Sequence, residues 1–235
     1  AIGYFFYFSR MLVTRDQGGN ELNHVYVIEA DGRERDLTPG DKLKAAFAGF
    51  SHAGDAFYLS SNERDPKFFD LYRYDARTYA RELVFRNDAG YELGEISDDG
   101  RYIALGKTRT TNDNDLHLFD RDSGKVVHLT PHQGDAQFSA QDFAPDGRFL
   151  YYTSNEGSEF ARLRRYEFAT GTHSDVRSAN WDITDVAFSH NGKYRIDMTN
   201  VDGATVVELF DVARGTPGAL QRLPAGETRN ARISR

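Results

Sequence analysis

Cysteine is absent from this chain of 235 residues. That removes disulfides, thiolate metal sites and cysteine nucleophiles, and leaves the redox compartment open. A basic surplus is also lacking: 29 Lys and Arg stand against 36 Asp and Glu, for a net charge of −7. Gripping a phosphate backbone needs a clustered cationic surface, so nucleic acid is excluded as a partner. The densest basic cluster, Arg162, Arg164 and Arg165, reads as the solvated outer face of a strand. Long hydrophobic runs are missing too. The longest, Ala1 to Phe8, is too short for a membrane span and has no basic start of the kind a signal peptide carries. No glycine-rich phosphate loop and no amphipathic membrane helix occurs, and nothing in the sequence implies a cofactor. What remains is the composition of a soluble globular protein, 39% hydrophobic and 28% charged.

Against these absences stands a repeat. Phe50-Ser51-His52-Ala53-Gly54, Ile96-Ser97-Asp98-Asp99-Gly100, Phe143-Ala144-Pro145-Asp146-Gly147 and Phe188-Ser189-His190-Asn191-Gly192 share one pattern, with glycines 46, 47 and 45 residues apart. A period in the forties filled with strands predicts a β-propeller. The expected fold is all-β, about five four-stranded blades in a single domain over residues 1–235. A first strand ends at each motif, and the glycine supplies the positive φ of a tight turn. Aromatic and β-branched second strands follow, such as Phe149-Leu150-Tyr151-Tyr152-Thr153. Third strands such as Asp70-Leu71-Tyr72-Arg73-Tyr74-Asp75 come next, then turns at Asp31-Gly32, Ser123-Gly124, Thr170-Gly171 and Arg214-Gly215. Short fourth strands end in Leu37-Thr38-Pro39 or Leu129-Thr130-Pro131, where proline suits an outer edge. Lys42 to Phe50 is compatible with a short helix, but the repeat phase assigns a strand. Gly3 to Ser9 matches Gly54 to Ser60, which makes Tyr4 to Phe8 a second strand. Arg229 to Ser234, one period after the last first strand, is then expected to pair with it and close a ring; five units of a longer propeller are the alternative.

The Pro145-Asp146-Gly147 turn and the Ser61-Asn62-Glu63-Arg64-Asp65 loop, with Asp70-Leu71-Tyr72 and Leu-Thr-Pro, together resemble TolB-like propeller repeats. They are most similar to the propeller domain of prolyl oligopeptidase-family serine peptidases, the dipeptidyl aminopeptidases and acylaminoacyl-peptidases. The resemblance covers nearly the whole chain. It implies a domain that caps an α/β-hydrolase active site, limits access by substrate size and contacts peptide substrate. The family's nucleophile sits in a Gly-x-Ser-x-Gly elbow, and that pattern is absent. Gly49-Phe50-Ser51-His52-Ala53-Gly54 has one residue too many. No catalytic residue is therefore carried onto this chain. A hydrolase domain is expected only if the parent chain is longer, and a downstream elbow would reveal it. A stand-alone TolB-like scaffold for a protein partner is the second expectation. An autonomous lyase-type propeller is a third, and it would need a histidine and carboxylate cluster. Bacterial periplasm and cytoplasm both stay open.

Among candidate sites, His128 and His132 have a spacing that on a helix would present two imidazoles to a metal, but Pro131 interrupts the segment. Asn112-Asp113-Asn114-Asp115 lacks the rest of a calcium loop. No metal is expected. Arg64, Asp65, Phe68 and Phe69 form the most suggestive loop, an arginine able to grip a carboxylate beside two aromatic rings. The competing expectation is a local Arg64–Asp65 ion pair with both rings packed between blades. Trp181, the one tryptophan, is expected in the core, with a pocket wall as its second role.

Overall fold

A computed structural model describes residues 3–5, 9–218, 220, 226–228 and 231–233. They form five four-stranded antiparallel sheets, each a meander of strands consecutive in sequence. Blade one comprises β1 (Gly3–Tyr4), β2 (Met11–Arg15), β3 (His24–Ile28) and β4 (Glu34–Asp36). Blade two comprises β5 (Ala45–Phe50), β6 (Ala56–Asp65), β7 (Phe68–Asp75) and β8 (Arg81–Phe85). Blade three holds β9 (Glu92–Ile96), β10 (Tyr102–Thr110), β11 (Asp113–Asp120) and β12 (Lys125–His128). Blade four holds β13 (Phe138–Phe143), β14 (Phe149–Ser154), β15 (Arg162–Glu167) and β16 (Thr172–Arg177). Blade five holds β17 (Ile183–Phe188), β18 (Tyr194–Val201), β19 (Ala204–Asp211) and β20 (Thr216–Pro217). The fold is an all-β propeller of about five blades. Among the described residues no helix is long and apolar enough to cross a membrane. The chain divides into two compact units, Ala1–Leu93 and Gly94–Arg235.

Each recurring motif has a local task. Gly54, Gly100, Gly147 and Gly192 sit at φ 70°, 70°, 69° and 68°, the left-handed region that a side chain disfavours. Each donates its N–H to the carbonyl three residues back, at 2.7–2.9 Å. The serine hydroxyls of the motif accept the N–H that opens the second strand: Ala56 to Ser51, Tyr102 to Ser97 and Tyr194 to Ser189. In Leu-Thr-Pro, the leucine continues the outer ladder and the threonine hydroxyl accepts the third strand's N–H. Val25 N–H meets Thr38 Oγ1 at 3.0 Å, and Leu116 N–H meets Thr130 Oγ1 at 2.8 Å. Asn62 and Asn155 accept the N–H of Lys44 and Gln137, residues just before the first strands of their blades.

One polar pair recurs with its partners exchanged. His24, preceding Val25, meets Asp36, preceding Leu37, at 2.8 Å. In blade three Asp115, preceding Leu116, meets His128, preceding Leu129, at 2.9 Å. Another place departs from glycine. Gly124, Gly171 and Gly215 close the third-to-fourth-strand turns of blades three to five, and Tyr79 holds that place in blade two at φ 61°. The strain is offset by contacts to blade one. The Tyr79 hydroxyl donates to Glu29 at 2.7 Å and accepts from Arg10 at 2.9 Å.

In the first unit the apolar core runs between blades one and two, where Phe57 is fully buried, edge-on to Phe5 and stacked on Tyr74. In the second unit one cluster joins blades three and four through Leu116, Leu150 and Tyr152, and another joins blades four and five through Tyr151, Leu163 and Ile183. Burying a ring such as Phe57 contributes about 2–3 kcal/mol.

The segment with a rival helical reading is strand β5, as the phase requires. The N-terminal phase needs correction. The second strand of blade one is Met11–Arg15, paired with β3, and Gly3–Tyr4 pairs with it as first strand. Phe8-Ser9 is the apolar-small pair of the repeat, but no glycine follows it, so a search keyed on glycine passes it by. The strand expected at Arg229–Ser234 and its pairing with Tyr4–Phe8 lie largely outside the described residues.

Candidate functional site

The expected gripping arginine is already engaged. Arg64 binds Asp70 through both arms, Nε at 2.7 Å and Nη2 at 2.9 Å, and donates to the Asn87 carbonyl. Asp70 is fully buried and also accepts the Asn87 N–H. The partner is thus Asp70, with Asp88 at 3.0 Å, rather than Asp65. Asp65 accepts the Lys67 N–H in the β6–β7 hairpin, opposite Phe68. Phe68 and Phe69 are half-buried on β7. The same spacing recurs in blade three, where Arg109 donates to Asp115 through Nη2 at 2.8 Å across a six-residue interval while its Nε faces Asp113 at 3.2 Å. An arginine late on the second strand reaching a carboxylate at the third residue of the third strand is therefore shared by blades two and three.

His128 and His132, which read from the sequence as two surface histidines, are tied to carboxylates, and only the His128 side chain is exposed. His132, 1% exposed, sets Nε2 against Asp113 at 2.8 Å and Nδ1 against the Thr130 carbonyl at 2.8 Å. Both ring nitrogens thus have acceptors, with the Arg109 guanidinium also 3.2 Å from Nε2. Burial opposes the charged ring, yet Thr130 and Asp113 outweigh it and hold the His132 pKa above its ordinary value. His128 points instead at Asp115.

The concave surface of the second unit lies elsewhere. A cleft of about 540 Å³ opens where the β10–β11 hairpin meets the starts of β13 and β17. A neighbouring hollow of about 680 Å³ shares Ser139 and Thr184 with it. Both volumes fall in the range of ligand sites. Hydroxyls and amides dominate the walls, and Asp182, Glu95, Asp185 and Glu227 add negative charge against Arg232. Arg232 meets Asp185 at 2.9 Å. Gln141, on a bulge of β13, donates to Thr153 at 3.1 Å and accepts the Val186 N–H at 3.0 Å, tying blade four to blade five. Burial and the neighbouring Glu95 and Asp98 push the Asp142 carboxyl up to about 7, against the N–H it accepts from Phe188. Burial also raises Glu95.

Trp181 is not core. It is 40% exposed in the β16–β17 loop, its ring 6.1 Å from that of Phe160. Asp182 and Ala161, the next residues along, line the cleft and are joined by a 2.8 Å hydrogen bond. The structure therefore brings Arg64, Asp65, Phe68 and Phe69 together in one hairpin, and leaves Trp181 exposed next to Asp182, which lines the second unit's cleft. Sequence reading missed Glu95, Gln141 and Asp142. A signal existed: Glu95 and Asp142 each precede the apolar residue of the turn motif, where blades two and five have Gly49 and Ala187.

No family model matches the chain, and no curated protein matches it in sequence. Solved structures do. TolB from Acinetobacter baumannii superposes with TM-score 0.62 at 16% identity, over 92% of this chain and 53% of that one. The putative TolB from Agrobacterium tumefaciens gives 0.61 at 18% identity, over 92% and 78%. Apo prolyl oligopeptidase B from Galerina marginata gives 0.68 at 14% identity, over 95% and 35%. The chain thus spans about half of the first of these and about a third of the last. At such identities the likeness is one of fold: this is a TolB-like propeller that resembles the propellers of prolyl oligopeptidases.

Proposed function

We propose that this chain is a single, non-catalytic propeller domain that binds an extended peptide segment, as the gating or substrate-contacting part of a prolyl oligopeptidase-type serine peptidase. The observation that carries the reading is the acidic, amide-rich cleft of blades three to five, whose lining residues Ala161 and Asp182 directly follow Phe160 and the exposed Trp181. Hydroxyls, amides and carboxylates supply partners for a peptide backbone and for cationic side chains, and the exposed indole supplies an apolar anchor. The Arg64 hairpin is a secondary contact surface at most through Asp65, Phe68 and Phe69, since Arg64 is held by Asp70.

Trp181 is the chain's one tryptophan, so its emission reports on the surroundings of Asp182 without interference from another indole. Titration with short lysine-containing peptides is expected to shift that emission, and Trp181→Ala is expected to weaken binding at least fivefold by calorimetry while leaving the melting temperature in place. Peptides that bind W181A as tightly as the parent would overturn the assignment of the site. No cleavage of chromogenic peptide esters is expected, and a measurable turnover would refute the non-catalytic reading. The likeness to the two TolB structures favours a second reading, a scaffold whose cleft takes a segment of a protein partner. A peptidase partner domain encoded downstream separates the two.

A further inference from the structure

Blades four and five enclose a hollow of about 420 Å³ whose lining shares no residue with the cleft. Its walls are aromatic and cationic: Tyr151, Phe188 and Phe210 alternate with Arg165, Arg177 and Arg195. Two of the guanidinium groups are neutralised from beneath. Arg195 grips the fully buried Asp197 with Nε at 2.7 Å and Nη2 at 3.0 Å, and lies over Phe210 at 4.9 Å and Tyr151 at 5.8 Å. Arg177 reaches the same carboxylate at 3.5 Å and pairs with Glu208. Arg165 is different. Its Nε donates to Ser174 Oγ at 3.1 Å and its guanidinium sits 4.3 Å from the Phe149 ring centroid, and among the described residues no carboxylate pairs with it. The one acid among the described lining residues, Asp211, accepts the Arg214 N–H in its own turn.

We propose that this hollow is a binding site for a small aromatic oxyanion, a carboxylate or phosphate on a planar body. The oxyanion bridges Arg165 and the guanidinium edge of Arg195 that Asp197 leaves unused, and the ring lies against Phe188 and Tyr151. A guanidinium cannot shed its proton, is weakly hydrated and stacks on aromatic faces, so a half-buried one without a counter-charge favours an anion with a flat apolar part. The hollow is of a size that accepts one ring and its charged group.

The test uses the whole chain and four probes at low ionic strength: phenyl phosphate, benzoate, inorganic phosphate and benzyl alcohol, followed by calorimetry and by arginine Nε–H resonances. Phenyl phosphate or benzoate is expected to bind at least tenfold tighter than benzyl alcohol and than inorganic phosphate, and whichever of the two is tighter identifies the headgroup. Arg165→Gln is expected to weaken that binding at least tenfold, while Arg33→Gln, on an exposed turn of blade one, leaves it unchanged. The Arg165 Nε–H resonance is expected to shift on titration, a readout that needs no variant to fold. Aryl anions binding no better than benzyl alcohol, an R165Q affinity equal to the parent's, or shifts confined to other arginines would each overturn the proposal. Inorganic phosphate binding as tightly as phenyl phosphate would overturn the aromatic part of it.

Discussion

Asp142 gives the propeller a pH-dependent stability whose size follows from its surroundings. The carboxyl stands on β13 one residue before Phe143, accepts the Phe188 N–H at 2.8 Å, and has Glu95 and Asp98 as neighbours of like charge. Burial first, and those neighbours next, raise its pKa to about 7 in the folded chain. The unfolded chain loses the same proton near 4. Between those values the folded state still holds a proton that the unfolded state has released, so stability falls as pH rises from about 4 to about 7 and stays level above. At about 1.4 kcal/mol per unit over about three units, the loss is no more than about 4 kcal/mol. Asp142→Asn keeps an oxygen for the Phe188 N–H and removes the titration. Urea unfolding from pH 5 to pH 8 is therefore expected to show the parent weakening relative to D142N, with the variant the more stable at pH 8 by about 1–4 kcal/mol. Taking the difference between the two proteins cancels the histidines. A constant difference across that range, or a variant less stable than the parent at pH 8, would refute the reasoning.

Further outcomes follow from the repeat. Gly147 and Gly192 share φ near +69°, but a Cβ at Gly147 meets open space while one at Gly192 lies 2.8 Å from Pro145 Cβ. By chemical denaturation Gly147→Ala is expected to cost about 1 kcal/mol and Gly192→Ala at least about 1 kcal/mol more; equal effects would contradict the contact. Thr130→Val leaves the buried Leu116 N–H without its acceptor and is expected to cost about 1–3 kcal/mol, with Leu116 the site of faster amide exchange. Arg64→Ala strips the partner from a fully buried Asp70. It is expected to lower the melting temperature more than Arg33→Ala does, and equal melting would free Arg64 for ligand contact.

Legibility in the sequence tracked how far each constraint is local. The turn glycines, the alternating strands and Leu-Thr-Pro were readable because each states a backbone need within a few residues, and β5 came out correctly because its phase outweighed its composition. The start of the chain misled for the complementary reason. Phe8-Ser9 carries the pattern without the glycine, so the phase slipped from Met11–Arg15 to the aromatic run before it. The site was harder still. Whether Arg64 is free depends on Asp70 being buried beneath it, and whether Trp181 is core depends on how blades four and five meet, neither of which any spacing states. Tyr79 shows the limit from the other side: nothing in a lone tyrosine announces a left-handed backbone, because the compensation lies in Arg10 and Glu29 far away in sequence.

The exchanged histidine–aspartate pair has an evolutionary consequence. His24 with Asp36 and Asp115 with His128 fill the same two places in opposite order, and converting one arrangement into the other takes two replacements, the first of which leaves two carboxylates or two imidazoles facing each other. Drift at these positions is then a linked event, and across relatives of this chain the two columns of each blade are expected to change together. Such a correlation would date the exchange relative to the duplications that made the blades.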